Sequence, residues 1–213
     1  MRPSNHVGLC PERFLVRRRV SYSNRAAFLD LAFFLLDLVL FHAHQILMTA
    51  SPDKLFAYLD ELGISHHTVE HEATFTVEEG RDLKAALPGA HTKNLFMKDK
   101  DGTIVLISAH ADNQLKLNQL HKVIGTRRLS FANAELMEEV LGVVPGSVTG
   151  FALMNDTGGR VRFILDAEIT KFDAVNFHPL VNTATTRVSL DDFEAFVAAT
   201  GHELTVVDFR ALD

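Results

Sequence analysis

From Ser51 onward the apolar and polar positions fall into short periods with clear punctuation. Ser51 stands where an N-cap is needed, Pro52 follows at the first helical position, Leu55, Phe56, Leu59 and Leu62 recur on one helical face, and Gly63 stops the run. His66 to His71 reads as a short strand, and Thr76 with Glu79 forms a capping box for a helix ending before Pro88. Asn94–Met97 and Ile104–Ser108 alternate as a hairpin around Asp101-Gly102. Further helices are predicted at Asp112–Val123, Ala134–Leu141 and Leu190–Ala199, the last capped by Ser189 and ended by Gly201. Strands are predicted at Val148–Met154, Val161–Asp166, Ala174–Phe177 and Thr185–Val188, the first two joined at Asn155–Gly159. Helices and strands are interspersed without strict alternation. An α/β chain of the α+β type, a mixed β-sheet flanked by helices, follows from that order.

The chain before Met48 has another character. It carries Arg17-Arg18-Arg19 and an apolar run from Ala26 to Phe41 broken by Asp30 and Asp37. A membrane span needs about 18 apolar residues, and an aspartate near the bilayer centre costs roughly 2.5–3.5 kcal/mol. No clean cleavage site follows, so neither a span nor a signal peptide is expected. Residues 1–47 are read as an extension outside the folded domain, which runs over residues 48–213; the rival is an amphipathic helix that docks on the domain or a membrane surface. The single cysteine, Cys10, rules out an intrachain disulfide and a cysteine-based zinc site, which fits a reducing, cytoplasmic setting.

A net charge of -6 argues against indiscriminate nucleic-acid binding, and no DNA partner is expected. The charge is uneven, however: residues 80–130 hold 9 Lys and Arg against 4 Asp and Glu. Lys84, Lys98, Lys116, Lys122, Arg127 and Arg128 are therefore candidates for a phosphate-docking face, with a solvated lysine-rich surface as the plainer reading.

Eleven histidines raise the question of a metal, but His67 and His71 on one strand lie roughly 13 Å apart at about 3.3 Å per residue, and no His-Glu-x-x-His run exists. No metal and no cofactor are expected. Gly146-Ser147-Val148-Thr149-Gly150 puts its serine one position early for a nucleophile elbow, so Ser147 reads as a loop residue. Gly142-Val143-Val144-Pro145-Gly146 offers a stiffened turn whose amides could approach a ligand, or simply a helix stop. In Lys93–Asp99 the alternation sends Asn94, Phe96 and Lys98 one way and Lys93, Leu95 and Met97 the other. A lysine on an apolar strand face needs an anionic partner or an escape to solvent. His178-Pro179 ends an apolar run and leaves a histidine at a strand terminus, where it serves either a pocket rim or the structure alone.

Taken in order, Thr74-Phe75-Thr76-Val77-Glu78-Glu79, Lys93–Asp99, Gly142–Thr149, Asn176-Phe177-His178-Pro179-Leu180 and Asn182–Thr186 resemble the free-standing relatives of the prolyl-tRNA synthetase editing domain, the YbaK-like superfamily, in its ProX-like alanyl-tRNA(Pro) deacylase branch. The resemblance covers about Ser51 to Phe209; Gly150 departs from it, since the family pattern has proline after Ser-Val-Thr. It implies hydrolysis of mischarged Ala-tRNA(Pro) in support of prolyl-tRNA synthetase, with a related deacylase for cysteine, serine or threonine and a non-catalytic tRNA- or synthetase-binding protein as alternatives. It implies Lys93 at the terminal phosphate or ester, Gly142–Gly146 amides at the carbonyl oxygen, and Asn94 and His178 ordering substrate or water. Leu95, Phe96, Met97, Pro145 and Ser147 would line the pocket.

Overall fold

The computed structural model describes residues 51–73 and 77–212, with the side chains of 77–81 and 211–213 excepted. The expectations for residues 1–47 and for the Thr76/Glu79 capping box lie outside the described residues. Helix α1 (Pro52–Glu61) begins where its cap dictates: the Ser51 side chain accepts from the Lys54 N–H, and Leu55 and Leu59 are buried. Gly63, at φ 72°, turns the chain away. The order continues with β1 (His67–Glu70), α2 (Val77–Ala86), β2 (Ala90–Asp99), β3 (Ile104–His110), α3 (Leu120–Ile124), β4 (Leu129–Phe131), α4 (Ala134–Leu141), β5 (Val161–Asp166), β6 (Ala174–Phe177), β7 (Ala184–Ser189), α5 (Leu190–Ala199) and β8 (Leu204–Val207).

Among the described residues these strands form one sheet in the order β1-β7-β6-β2-β3-β5-β8, with β4 paired to β2. β2 meets β6, β3 meets β5 and β5 meets β8 in parallel, whereas β1–β7, β6–β7, β2–β3 and β2–β4 are antiparallel. The sheet is therefore mixed, as the interspersed pattern predicts. Alternation gives it two apolar faces. Phe96, Leu106, Phe163 and Phe177 join a core with α1, α4 and α5, in which Phe151 meets Phe177, Phe193 and Phe196 edge to face. Met97, Val105, Ile107 and Ile164 join a second, smaller core under Leu120, Ile124 and Phe209.

Two predicted elements are corrected. Of Asp112–Val123 only Leu120–Ile124 lies in a helix, because the carbonyls of Ala111 and Asn113 receive the Lys93 ammonium and the Asn113 side chain donates to Asp166 at 2.5 Å. Carbonyls committed in that way do not align along a helix axis. Val148–Met154 is not a strand: Thr149 accepts from the Phe151 N–H and Gly150–Asn155 winds as a 3₁₀ helix, burying Phe151, Ala152 and Leu153 in succession. Asn155–Gly159 thus links that helix to β5 rather than closing a hairpin. β2 also extends beyond Asn94–Met97 at both ends, and the sequence pattern missed β4 and β8.

Candidate functional site

The pairing of β2 with β3 runs unbroken from Thr92 opposite His110 to Lys98 opposite Ile104. Neighbouring side chains therefore project to opposite faces, and Lys93 and Asn94 are separated by the sheet. Lys93 stands on the face of Leu95 and Met97, its ammonium donating to the carbonyls of Ala111 and Asn113. That turn is held in place by buried Asp166, which accepts from the His110 N–H and the Asn113 side chain. On the other face the Asn94 side chain accepts from Ser108 at 2.6 Å, and Thr92 donates to the Asn176 carbonyl at 2.8 Å. Phe96 and Met97 are each 2 % exposed, one in each core, and Leu95 packs partly buried beside Met97.

The glycine loop approaches the end of β6. Gly142 caps α4 in the left-handed region with its N–H on Glu138, so that amide is committed to the helix end. Gly146, at φ 94°, is exposed along with Pro145, while Ser147 is buried and closes a turn through its N–H on Val144. A Cβ on Gly146 would touch Asn182, and one on Gly150 would lie 2.8 Å from Phe193 and 3.1 Å from Phe177. The missing Cβ at Gly150 lets the segment after the loop settle on the residue immediately before His178.

His178 Nδ1 lies 2.8 Å from the Ala184 carbonyl, which only accepts, so Nδ1 carries the hydrogen. Burial pulls the imidazole below its ordinary value of 6.5 against that bond, and nearby His71 lowers it further. The ring is then neutral near neutral pH, with a lone pair on Nε2. His71, weighed in the sequence only as a metal ligand, lies with its ring centre 6.0 Å from that of His178 and contacts Thr185 at 2.9 Å. It directly follows β1, with its N–H donating to the Thr183 carbonyl, and nothing in its local sequence pointed to His178.

The basic candidates keep different partners. Lys84 pairs with Asp112, Arg127 with Asp101, and Lys122 reaches Gln119, with Lys116 exposed nearby. Lys98 and Arg128 instead line a single groove with Lys100 and Ser130, a cavity of about 570 Å³. Asp99 beneath it is occupied internally, accepting from the N–H groups of Asp101, Thr103 and Arg127. Among the described residues no three His, Cys, Asp or Glu side chains converge as metal ligands, and no helix is long and apolar enough to cross a membrane.

The sequence model of the aminoacyl-tRNA editing domain family matches residues 71–196, and the chain belongs to that family. Among its relatives it is 40% identical over 161 residues to prolyl-tRNA synthetase associated domain-containing protein 1 of Xenopus laevis, covering 73% of this chain and 95% of that protein. It is 31% identical over 155 residues to the prolyl-tRNA editing protein ProX of Acetoanaerobium sticklandii, covering 72% and 94%. The fold matches a crystal structure of a candidate trans-editing enzyme for prolyl tRNA synthetase, with a TM-score of 0.52 at 21% identity over 67% of this chain and 86% of the other.

Proposed function

We propose that this protein hydrolyses the ester of mischarged Ala-tRNA(Pro), clearing the error in trans for prolyl-tRNA synthetase. The observation that carries the reading is the approach of Gly146, exposed and in the left-handed region, to Asn182, in the segment whose ends His178 and Ala184 are joined by a hydrogen bond. An aminoacyl ester is already activated. Its hydrolysis needs an ordered water and a donor for the developing oxyanion more than a side-chain nucleophile. His178 Nε2 orders the water, the ribose hydroxyl vicinal to the ester assists it, and the Gly146 N–H faces the carbonyl oxygen. Asn94 and Ser108 fix the floor of the site. Lys93, on the opposite face with its ammonium on the turn carbonyls of Ala111 and Asn113, is assigned no part in this chemistry. The biological need is physical: a synthetase pocket that admits proline excludes smaller alanine weakly, since lost methylenes discriminate by only about 1–3 kcal/mol.

The test is release of labelled alanine from Ala-tRNA(Pro), with Pro-tRNA(Pro), Ala-tRNA(Ala) and seryl, threonyl and cysteinyl tRNAs alongside. Loss from Ala-tRNA(Pro) alone is expected. Faster loss from a seryl, threonyl or cysteinyl tRNA would reassign the substrate, and binding without any loss would leave a tRNA-binding protein.

Two further outcomes follow from the same site. Because His178 acts neutral, single-turnover deacylation is expected to hold level above pH 6.5 and to fall in more acid solution, with His178→Gln losing that acid limb. The groove of Lys98, Lys100 and Arg128 is read as a docking place for the tRNA phosphates. Lys98→Glu and Arg128→Glu are each expected to raise KM with kcat little changed, and to reduce the slope of log KM against log salt by about one. An unchanged salt slope would move the RNA elsewhere.

A further inference from the structure

β2 has a gap along one edge. Residues 91, 93, 95, 97 and 99 turn their peptide groups toward β3, since the Ala111 N–H reaches the His91 carbonyl and the Asp99 N–H reaches Thr103. Thr92, Asn94 and Phe96 therefore turn theirs the other way. On that second edge β6 is paired only through Ala90–His91, and β4 begins only at Met97, with the Phe96 carbonyl taken by the Ala132 N–H. Between them the main-chain N–H and C=O of Asn94 have no neighbouring strand, and among the described residues no hydrogen bond is made to either. The gap has a cause in the sequence. After Phe177 the chain leaves the sheet through His178-Pro179, and buried Leu180 is the described non-glycine residue held at positive φ, 67°. An in-sheet donor and acceptor pair left open beside a strained turn is free to take a partner.

We infer that this edge receives the aminoacyl group of the substrate as a one-residue strand, its α-ammonium donating to the Asn94 carbonyl and its ester carbonyl accepting from the Asn94 N–H. The inference rests on the deacylase reading and deepens it. The opening runs from the Thr92 carbonyl to the Phe96 amide, is centred on Asn94 and is bounded by β6 on one side and β4 on the other, and at its centre it presents the donor and acceptor that one aminoacyl group needs. The Asn94 N–H then joins the Gly146 N–H as a second donor to the same oxygen. The side chain of the docked residue plays no part in these bonds, so this edge recognises the aminoacyl group as such, and selectivity among amino acids rests elsewhere in the pocket.

The test is amide exchange by NMR on the full chain, alone and with 3′-deoxy-3′-(alanylamino)adenosine, in which an amide replaces the labile ester. In the free protein the Asn94 amide is expected to exchange at least about tenfold faster than those of Lys93 and Leu95, and to slow by about tenfold or more when the analogue binds. The propionyl analogue, which lacks the α-ammonium, is expected to bind more weakly and to protect Asn94 less. An Asn94 amide as protected as its neighbours in the free protein, or one unmoved when the analogue shifts His178, overturns the docking edge. Deacylation with an unmoved Asn94 overturns it alone; no deacylation of any aminoacyl-tRNA, with no binding of the analogue, overturns both readings.

Discussion

Replacing His202 by alanine is expected to cost about 1.5–3 kcal/mol of folding stability, because it removes a buried hydrogen-bond partner of the Asp156 carboxylate. His202 Nε2 lies 3.0 Å from Asp156 Oδ2, both side chains are 2 % exposed, and Thr200 Oγ1 stands 3.0 Å from the other ring nitrogen. The same carboxylate accepts from the Val161 N–H at 2.7 Å, so it ties the turn before β5 to the chain beyond α5. Burial pulls the Asp156 carboxyl upward, yet the bonds from His202 and from the Arg160 and Val161 amides outweigh it and hold the group below 3.8. A carboxyl depressed in the folded state contributes stability that is complete above its unfolded value and is lost as pH falls through the lower, folded one. Urea unfolding of His202→Ala, Asp156→Ala and the double variant at neutral pH measures the effect. The double variant should cost little more than either single one, and two small, additive losses would mean that the contact is idle.

Deacylation by Gly146→Pro is expected to fall by about 10²–10³ in kcat, the usual loss on removing one oxyanion donor. Proline lacks the N–H and cannot reach the φ of 94° that this position holds. Gly146→Ala separates the two effects: it keeps the donor, its Cβ meets Asn182 at an ordinary 3.5 Å, and it carries only backbone strain of about 1–2 kcal/mol. Single-turnover rates with unfolding curves alongside decide the matter. Equal losses in the two variants, or full activity in the proline variant with its fold intact, would remove Gly146 from the chemistry.

Where local chemistry decides an element, the sequence was readable. Ser51-Pro52 opens α1, Asn133 caps α4 by accepting from the Leu136 N–H, and Ser189 caps α5, each within a turn of its partner. Where a distant residue decides, it was not. Lys93 unmakes the predicted helix at Asp112 from a strand some twenty residues earlier, and Gly150 bends a strand-like apolar run because two phenylalanines leave no room for a Cβ. β4 is three residues long with Phe131 59% exposed, so no alternation marks it. Strand parity separated Lys93 from Asn94 in the sequence, as the register of β2 on β3 does in the fold. The gap beside Asn94 depends on which strands stop pairing, which no single stretch of sequence encodes.

The outermost pairing has a consequence for how the protein is made. β1 closes on β7, with Thr68 and Thr186 sharing a hydrogen bond at 2.8 Å across 118 residues. At translation rates of about 5–20 residues per second, an early strand separated from its partner by 118 residues waits roughly 6–24 s on the ribosome before that partner exists. His67 and Glu70 remain exposed in the finished sheet, and during that interval the same polar ends keep a solitary strand from recruiting a neighbouring nascent chain.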